Sequence, residues 1–363
     1  MSRSTRLARL LELFGLEGLL GMASEKRVPR HRQALWYYFG GMALFLFVVQ
    51  VVTGILLLLY YRPSADEAHE SVEFLMQQVR FGWLVRSLHA WAANLLIGVL
   101  MLHMITVFLL KAYRPPREGT WLTGVALFAI FLAFGFSGYL LPWTDLSFFA
   151  TKVGTEIPRP IPWIGPMLVR FLRGGDEVTG GTLTRFFGFH VAVLPAITTA
   201  ILGIHLLLVQ KKGMSVPPWI EKEHESSGKP IPTMPFVPDF LLRDLFGWLL
   251  ALGGLAALAA LWPWELLPKA DPLGVPGADI APEWYFLWMF QTLRKLPRTV
   301  LGIEGELFGI AGFSVLAVFW VLVPWLDRGI RRERRSALFT WIGLLLILYV
   351  VGMTFWSLLG QAP

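Results

Sequence analysis

The stretch HAWAANLLIGVLMLH, residues 89–103, opens and closes on histidine and holds no charged residue between them. A second stretch, HVAVLPAITTAILGIH at 190–205, has the same form. An imidazole in a segment apolar enough to lie in lipid is costly, so it marks a functional position. The intervals, 14 and 15 residues, separate the members of each pair by about 21–22 Å along a helix. Fourteen residues fall about 40° short of four full turns and fifteen overshoot by about 60°, so each pair keeps a broadly common face. Two such helices side by side can hold two flat cofactors, one above the other. A hydrogen bond to a backbone carbonyl explains any one of these histidines equally well, but not four at matched intervals.

Outward from these stretches the chain stays apolar. Of its 363 residues 55% are hydrophobic and 16% charged, with mean hydropathy +0.58, the profile of a polytopic membrane protein. Seven segments are long enough to span about 30 Å of hydrocarbon: 35–60, 84–110, 121–141, 187–209, 241–262, 306–326 and 337–358. The expected fold is all-α, with seven transmembrane helices. Cysteine is absent, which excludes disulfides, thiolate zinc sites, Cys-ligated iron–sulfur clusters and thioether-attached haem in this chain. The net charge of +7 invites a nucleic-acid reading. The basic residues, however, lie in loops between apolar segments, where they set membrane orientation, so no nucleic-acid partner is expected. Arg3, Arg6 and Arg9 precede an apolar stretch as in a signal peptide, but Glu12 and Glu17 interrupt it. Residues 4–20 are therefore expected to form an amphipathic helix on the membrane surface.

With the N-terminus inside and the C-terminus outside, inside segments carry 19 Lys and Arg and outside segments 11, in line with the positive-inside rule. His89 and His190 then fall near the outer face, and His103 and His205 near the inner one. The expected organisation is an N-terminal inner-side segment (1–34), a four-helix unit with all the paired histidines (35–210), a Pro-rich extended linker (211–240) and a three-helix unit (241–363). The outer loops 142–186 and 263–305 are long enough to form a cap or docking surface.

Two neutral imidazoles make a six-coordinate haem iron, an electron carrier with no open site. Glycine supports that reading. Gly40 and Gly54 are 14 apart on the first span, as are Gly124 and Gly138 on the third. A helix can approach a wide cofactor only where no Cβ intervenes, although small-residue helix packing is the simpler account of any one glycine. Arg86 lies one turn from His89 and Arg117 lies in an inner loop; both are candidate partners for anionic propionates, and Arg117 equally a topological charge. Pro282-Glu283-Trp284-Tyr285 reads either as a helix start or as a carboxylate at the edge of an apolar pocket, placed to take a hydroquinone proton.

Together these residues resemble cytochrome b of the cytochrome bc complexes, over nearly the whole chain from about residue 28. The likeness rests on Arg86-Ser87-Leu88-His89, Gly138-Tyr139-Leu140-Leu141-Pro142-Trp143, Thr184-Arg185-Phe186-Phe187 ahead of His190, and Pro282-Glu283-Trp284-Tyr285. The resemblance implies two b-type haems, ligated by His89 with His190 and by His103 with His205 and admitted by the four glycines. It also implies an outer quinol-oxidation site lined by the Pro282–Tyr285 motif with Tyr139, Pro142 and Trp143, where Glu283 removes a proton. One electron would leave to a Rieske-type iron–sulfur protein and on to a c-type cytochrome. The other would pass inward through the two haems to an inner quinone site, coupled to proton translocation. The working form is a homodimer, and the expected location a bacterial inner membrane with its lipid.

The chain looks most like the chloroplast and cyanobacterial branch, whose last two histidines are also 15 apart and whose C-terminal part also has three spans. There the two parts are separate polypeptides; here they are joined. That branch carries an extra haem bonded to a cysteine just before the first glycine notch. Tyr38 stands at that place, and Gln210 matches a basic residue near that haem, so a covalent third haem is not expected. Lys212, Glu221, His224 and Asp244 are inner-side polar groups that either relay protons or are merely solvated. Two rivals remain open from the residues alone. A dehydrogenase or hydrogenase membrane anchor also holds two b haems but leaves Glu283 and the last three spans unexplained, and a transporter with structural histidines would bind no haem.

Overall fold

The computed structural model describes Leu13 and residues 25–275, 277, 280–327 and 336–360; the amphipathic helix expected at 4–20 lies outside the described residues apart from Leu13. Seven helices among the described residues are long and apolar enough to cross a membrane: Ala34–Leu58, Gly82–Leu109, Glu118–Tyr139, Gly180–Lys212, Phe236–Leu261, Gly305–Leu326 and Ala337–Leu359. The protein is an all-α polytopic membrane protein. In chain order the helices are α1 (Tyr38–Leu58), α2 (Ala68–Gln78), α3 (Gly82–Leu109), α4 (Glu118–Tyr139), α5 (Asp145–Glu156), α6 (Gly165–Arg173), α7 (Gly180–Gly188), α8 (Leu194–Lys212), α9 (Pro218–Ser227), α10 (Leu241–Leu261), α11 (Leu287–Lys295), α12 (Gly305–Leu326) and α13 (Ser336–Leu359).

Lipid offers backbone groups no partners, so the spans are helices that satisfy their own hydrogen bonds. Their outward faces keep apolar side chains exposed, such as Val52, Ile204, Leu249 and Val315, because hydrocarbon is their solvent. α1 packs along α3, α8 along α4, and α10 covers the α1–α3 pair. At their centre Leu46, Ala92, Leu96, Phe131 and Leu255 form one buried cluster. α12 leans on α4, and α13 on α11.

α7 and α8 make one span through a π-helical turn, Phe189–Val193, that contains His190. Pro195 has no N–H to give Val191, and the Leu194 N–H bonds back to Phe189 instead, which is the wider i→i−5 pattern.

The 142–186 loop holds α5 and α6, and the 263–305 loop holds α11. The stretch expected to be an extended linker is different. Residues 218–227 form α9, because Pro218 sits at the first helical position, where its fixed φ and missing N–H are favourable. Gly228 ends the helix in the left-handed region, at φ +66°. Beyond it β2 (Thr233–Pro235) pairs antiparallel with β1 (Arg27–Pro29).

The four-helix part and the last three spans are tied by side chains. Lys111 and Asp327 form an ion pair at 3.3 Å with side chains 1% and 0% exposed. Tyr113 donates to the same carboxylate oxygen at 2.7 Å. Next to them Trp121 donates from Nε1 to the Trp320 carbonyl at 3.0 Å.

Candidate functional site

The four histidines lie at two levels of the α1, α3, α4 and α8 bundle. At one level the His89 and His190 rings face each other, centroids 6.4 Å apart and planes crossed at 71°. An imidazole–metal bond is about 2 Å in the zinc case. Two ring nitrogens sharing one metal therefore stand about 4 Å apart, and their centroids a little over 6 Å. At the other level His103 and His205 are electrostatic neighbours.

Each histidine lies against one notch glycine. A Cβ on Gly54 would stand 3.3 Å from the His89 ring, and on Gly138 2.7 Å from the His190 ring. At the second level the same distances are 3.3 Å from Gly40 to His103 and 3.4 Å from Gly124 to His205. The notches belong to the levels as the spacing requires, with one glycine from α1 and one from α4 at each.

Three of the rings are backed by hydroxyl groups that the histidine and glycine spacings do not reveal. The Nδ1 of His89, His205 and His190 lies 2.9, 2.9 and 3.1 Å from the hydroxyls of Thr53, Thr123 and Ser137. Each hydroxyl already gives its own proton to a carbonyl of its helix, Val49, Gly119 and Phe134 respectively. It can therefore only accept from the ring, which places the imidazole proton on Nδ1 and leaves the Nε2 lone pair for a metal. The signal was present in the sequence: each hydroxyl residue immediately precedes its notch glycine. The fourth notch is preceded by Phe39, and His103 Nδ1 is buried with no hydrogen-bond partner among the described residues. Paired rings, notches that a Cβ would fill and free Nε2 atoms all fit two bis-histidine haems.

Of the two arginines, Arg86 donates from Nη1 to the Trp264 carbonyl at 2.5 Å and to Met76 Sδ at 3.2 Å, and from Nη2 to the Glu265 carbonyl at 3.1 Å, which leaves its Nε–H and one Nη2–H for a further acceptor. Arg117 donates to the carbonyls of Lys212, Gly213 and Met214, where a cation suits the C-terminal end of α8.

The cysteine position of the third-haem branch is closed. The Tyr38 ring stacks on Phe240 at 4.8 Å, and Phe240 on Phe236 at 5.5 Å. Gln210 accepts from Lys26 Nζ at 2.5 Å. With no thiol available and the space filled by rings, these residues do not fit a covalently held third haem.

On the same side of the bundle as the His89–His190 level, a cavity of about 310 Å³ opens between α4, α5 and the start of α11. Phe136, Ile280, Pro282, Phe286 and Phe290 wall it, and its two polar side chains are Tyr139 and Glu283. Burial pushes the Glu283 carboxyl above its ordinary range, since a carboxylate away from water is disfavoured. Tyr285 does not line the cavity. It is 5% exposed, its hydroxyl lies in the space that a Cβ on Gly135 would take, and burial, with the nearby Glu283, pushes its phenol up. Neither Trp143, which packs edge-on against Phe148, nor Pro142 lines the cavity. Trp284 points away towards α3 and donates from Nε1 to Asn94 Oδ1 at 2.8 Å. Asn94 in turn gives its Nδ2 to the Ala90 carbonyl.

Of the polar groups expected on the inner side, Glu221 is paired with Arg114 and His224 lies near the Lys229 carbonyl. Among the described residues the Lys212 side chain has no hydrogen bond, and its carbonyl accepts from Arg117. Asp244 differs: it is buried, its Oδ1 has no partner among the described residues, and it fills the space beside Gly41 on α1.

A family model described as cytochrome b/b6/petB matches residues 24–213, and another described as cytochrome b(C-terminal)/b6/petD matches residues 269–363. A cytochrome bc complex cytochrome b subunit of Chlorobaculum thiosulfatiphilum is 44% identical over 340 residues, 94% of this chain and 77% of that one. A cytochrome b6 of Auxenochlorella protothecoides is 42% identical over 206 residues, 57% of this chain and 95% of that one. Among solved structures, a chain described as hyperthermophilic respiratory Complex III superposes with a TM-score of 0.82 at 31% identity, covering 97% of this chain and 91% of that one.

Proposed function

The chain belongs to the cytochrome b family of the cytochrome bc complexes, and from that premise we propose that it binds quinol in the cavity beside Glu283 and Tyr139 and oxidises it there. The observation that carries this is the cavity itself: aromatic and aliphatic walls for a ring, with two protonatable side chains set among them. Its volume is at the low end for a small-molecule site, roughly 300–1,000 Å³, which suits a quinol head group with its tail left in the lipid.

The Glu283 carboxylate accepts the proton of one quinol hydroxyl, and the proton of the other hydroxyl leaves on the side of the iron–sulfur partner together with the electron that goes there. A raised pKa brings Glu283 nearer the operating pH, where a general base works best. The Tyr139 hydroxyl orients the ring by hydrogen bonding. The aromatic walls keep water from the reacting oxygens. His89 and His190 would hold one b haem and His103 and His205 the other; when bound, these supply one-electron couples at two depths of the membrane. A Rieske-type iron–sulfur protein and a c-type cytochrome take the other electron, as the chain has no cysteine to hold a cluster. We place the His89 level and the cavity on the outer face, on the strength of the loop charges. At the inner face we assign Asp244 to deliver protons from its carboxyl oxygen to a second quinone site.

Glu283→Gln in the intact complex is the test. Quinol oxidation should slow at least tenfold while the haem content holds. Wild-type turnover should rise with pH as the carboxyl ionises, and that rise should disappear in the variant. Unchanged turnover with an unchanged pH profile would remove Glu283 from the reaction. A reduced-minus-oxidised spectrum without a b-type signal would remove the haems.

A further inference from the structure

We infer that Phe39 sets the two haem sites apart electronically, by leaving His103 without the hydroxyl partner that the other three histidines have. The inference rests on the haem-ligand reading above and deepens it. Three notches repeat one device, a hydroxyl residue followed by the glycine: Thr53-Gly54, Thr123-Gly124 and Ser137-Gly138. In each, the hydroxyl stands within 3.1 Å of Nδ1 of the histidine against that glycine. The Gly40 notch meets His103 at the same 3.3 Å at which Gly54 meets His89, so residue 39 occupies the equivalent slot. Its side chain has no oxygen, and the Phe39 ring stacks on Trp36 at 5.6 Å. His103 Nδ1 is consequently buried and unpartnered.

A metal-bound imidazole whose second N–H donates a hydrogen bond is the more basic ligand. Greater basicity favours the ferric over the ferrous state and lowers the potential, one of the protein's levers on haem. The His89–His190 site has two ligands of this kind and the His103–His205 site has one. With haems bound, the second site would be the more oxidising of the two, which would favour electron transfer from the His89–His190 level to the His103–His205 level. Residue 39 is a tuning position that touches no substrate.

The experiment is a potentiometric titration of the haem absorbance in the purified complex, with the haem count taken by pyridine haemochrome. Phe39→Thr should lower the midpoint of the His103–His205 haem and leave the other unmoved. Thr53→Val should raise the midpoint of the His89–His190 haem and leave the other unmoved. Each shift should change the distribution of electrons between the two sites about threefold or more, where tenfold is 59 mV for a one-electron couple. If Phe39→Thr does not assemble, Thr53→Val and Ser137→Ala carry the test. Variants that keep two haems with unshifted midpoints, or whose two midpoints move together, overturn the inference. A wild-type count below two haems per chain would instead overturn the haem-ligand reading on which it rests.

Discussion

At the scale of single residues, the candidate site depends on contacts that carry no signature of their own. Asn94 lies five residues from His89 on the same helix, and its Oδ1 holds the indole of Trp284, 190 positions away. Trp284 is flanked by Glu283, which lines the cavity, and Tyr285, whose hydroxyl is lodged against Gly135. The turn is thus held from two sides. Asn94→Leu should release one side, with a loss of the order of one hydrogen bond, about 0.5–1.5 kcal/mol, or roughly two- to tenfold in kcat/KM for quinol. The haem spectrum should not change. Asn94→Leu combined with Trp284→Phe should cost no more than the worse single variant, because both remove the same bond; additive losses in steady-state oxidation would refute the tie. No local pattern in the sequence announces this contact. An asparagine in an apolar run and a tryptophan in a distant loop each have many ordinary explanations.

At the scale of helices, the spans and the two histidine levels were legible because hydrophobic length and helical rise are local properties. The hydroxyl–glycine pairs were equally local, but their meaning needed the facing histidine to be seen. The surface helices were less legible. α2 and α9 are short, and α9 begins in a Pro-rich stretch that reads as extended until Pro218 is recognised as a first helical residue. The π-turn at His190 follows from Pro195 but leaves no trace in hydropathy. Helix approach also ranks the glycines. A Cβ at Gly138 would come within 2.7 Å of the His190 ring, against 3.3–3.4 Å at the other three notches, while one at Gly98 on α3 would meet nothing within 4 Å. Gly138→Ala should therefore lower haem content most, the other notch alanines less, and Gly98→Ala should have no effect, as measured by pyridine haemochrome.

At the scale of the whole molecule, the four-helix part and the last three spans meet around the Lys111–Tyr113–Asp327 cluster. Burial lowers the Lys111 ammonium pKa and Asp327 opposes that shift; the ion pair and the Tyr113 bond both end on one carboxylate oxygen. Asp327→Ala would leave a cation buried without its partner, a change that costs about 3–5 kcal/mol. The expected result is a clear fall in the thermal midpoint in detergent. Lys111→Met with Asp327→Leu should recover much of it, since no charge is then stranded. Equal midpoints for wild type and Asp327→Ala would show the pair to be idle.

The short ribbon of β1 with β2 has a further consequence, for the order in which the protein is made. Its two strands are separated by roughly 200 residues, so Arg27–Pro29 leave the ribosome long before Thr233–Pro235 exist. At about 5–20 residues per second the first strand waits on the order of 10–40 s for its partner, while the first four spans are synthesised. The clasp across the chain's beginning can close only after the histidine-bearing helices have been delivered to the membrane, which makes it a late seal on a bundle whose helices are already in place.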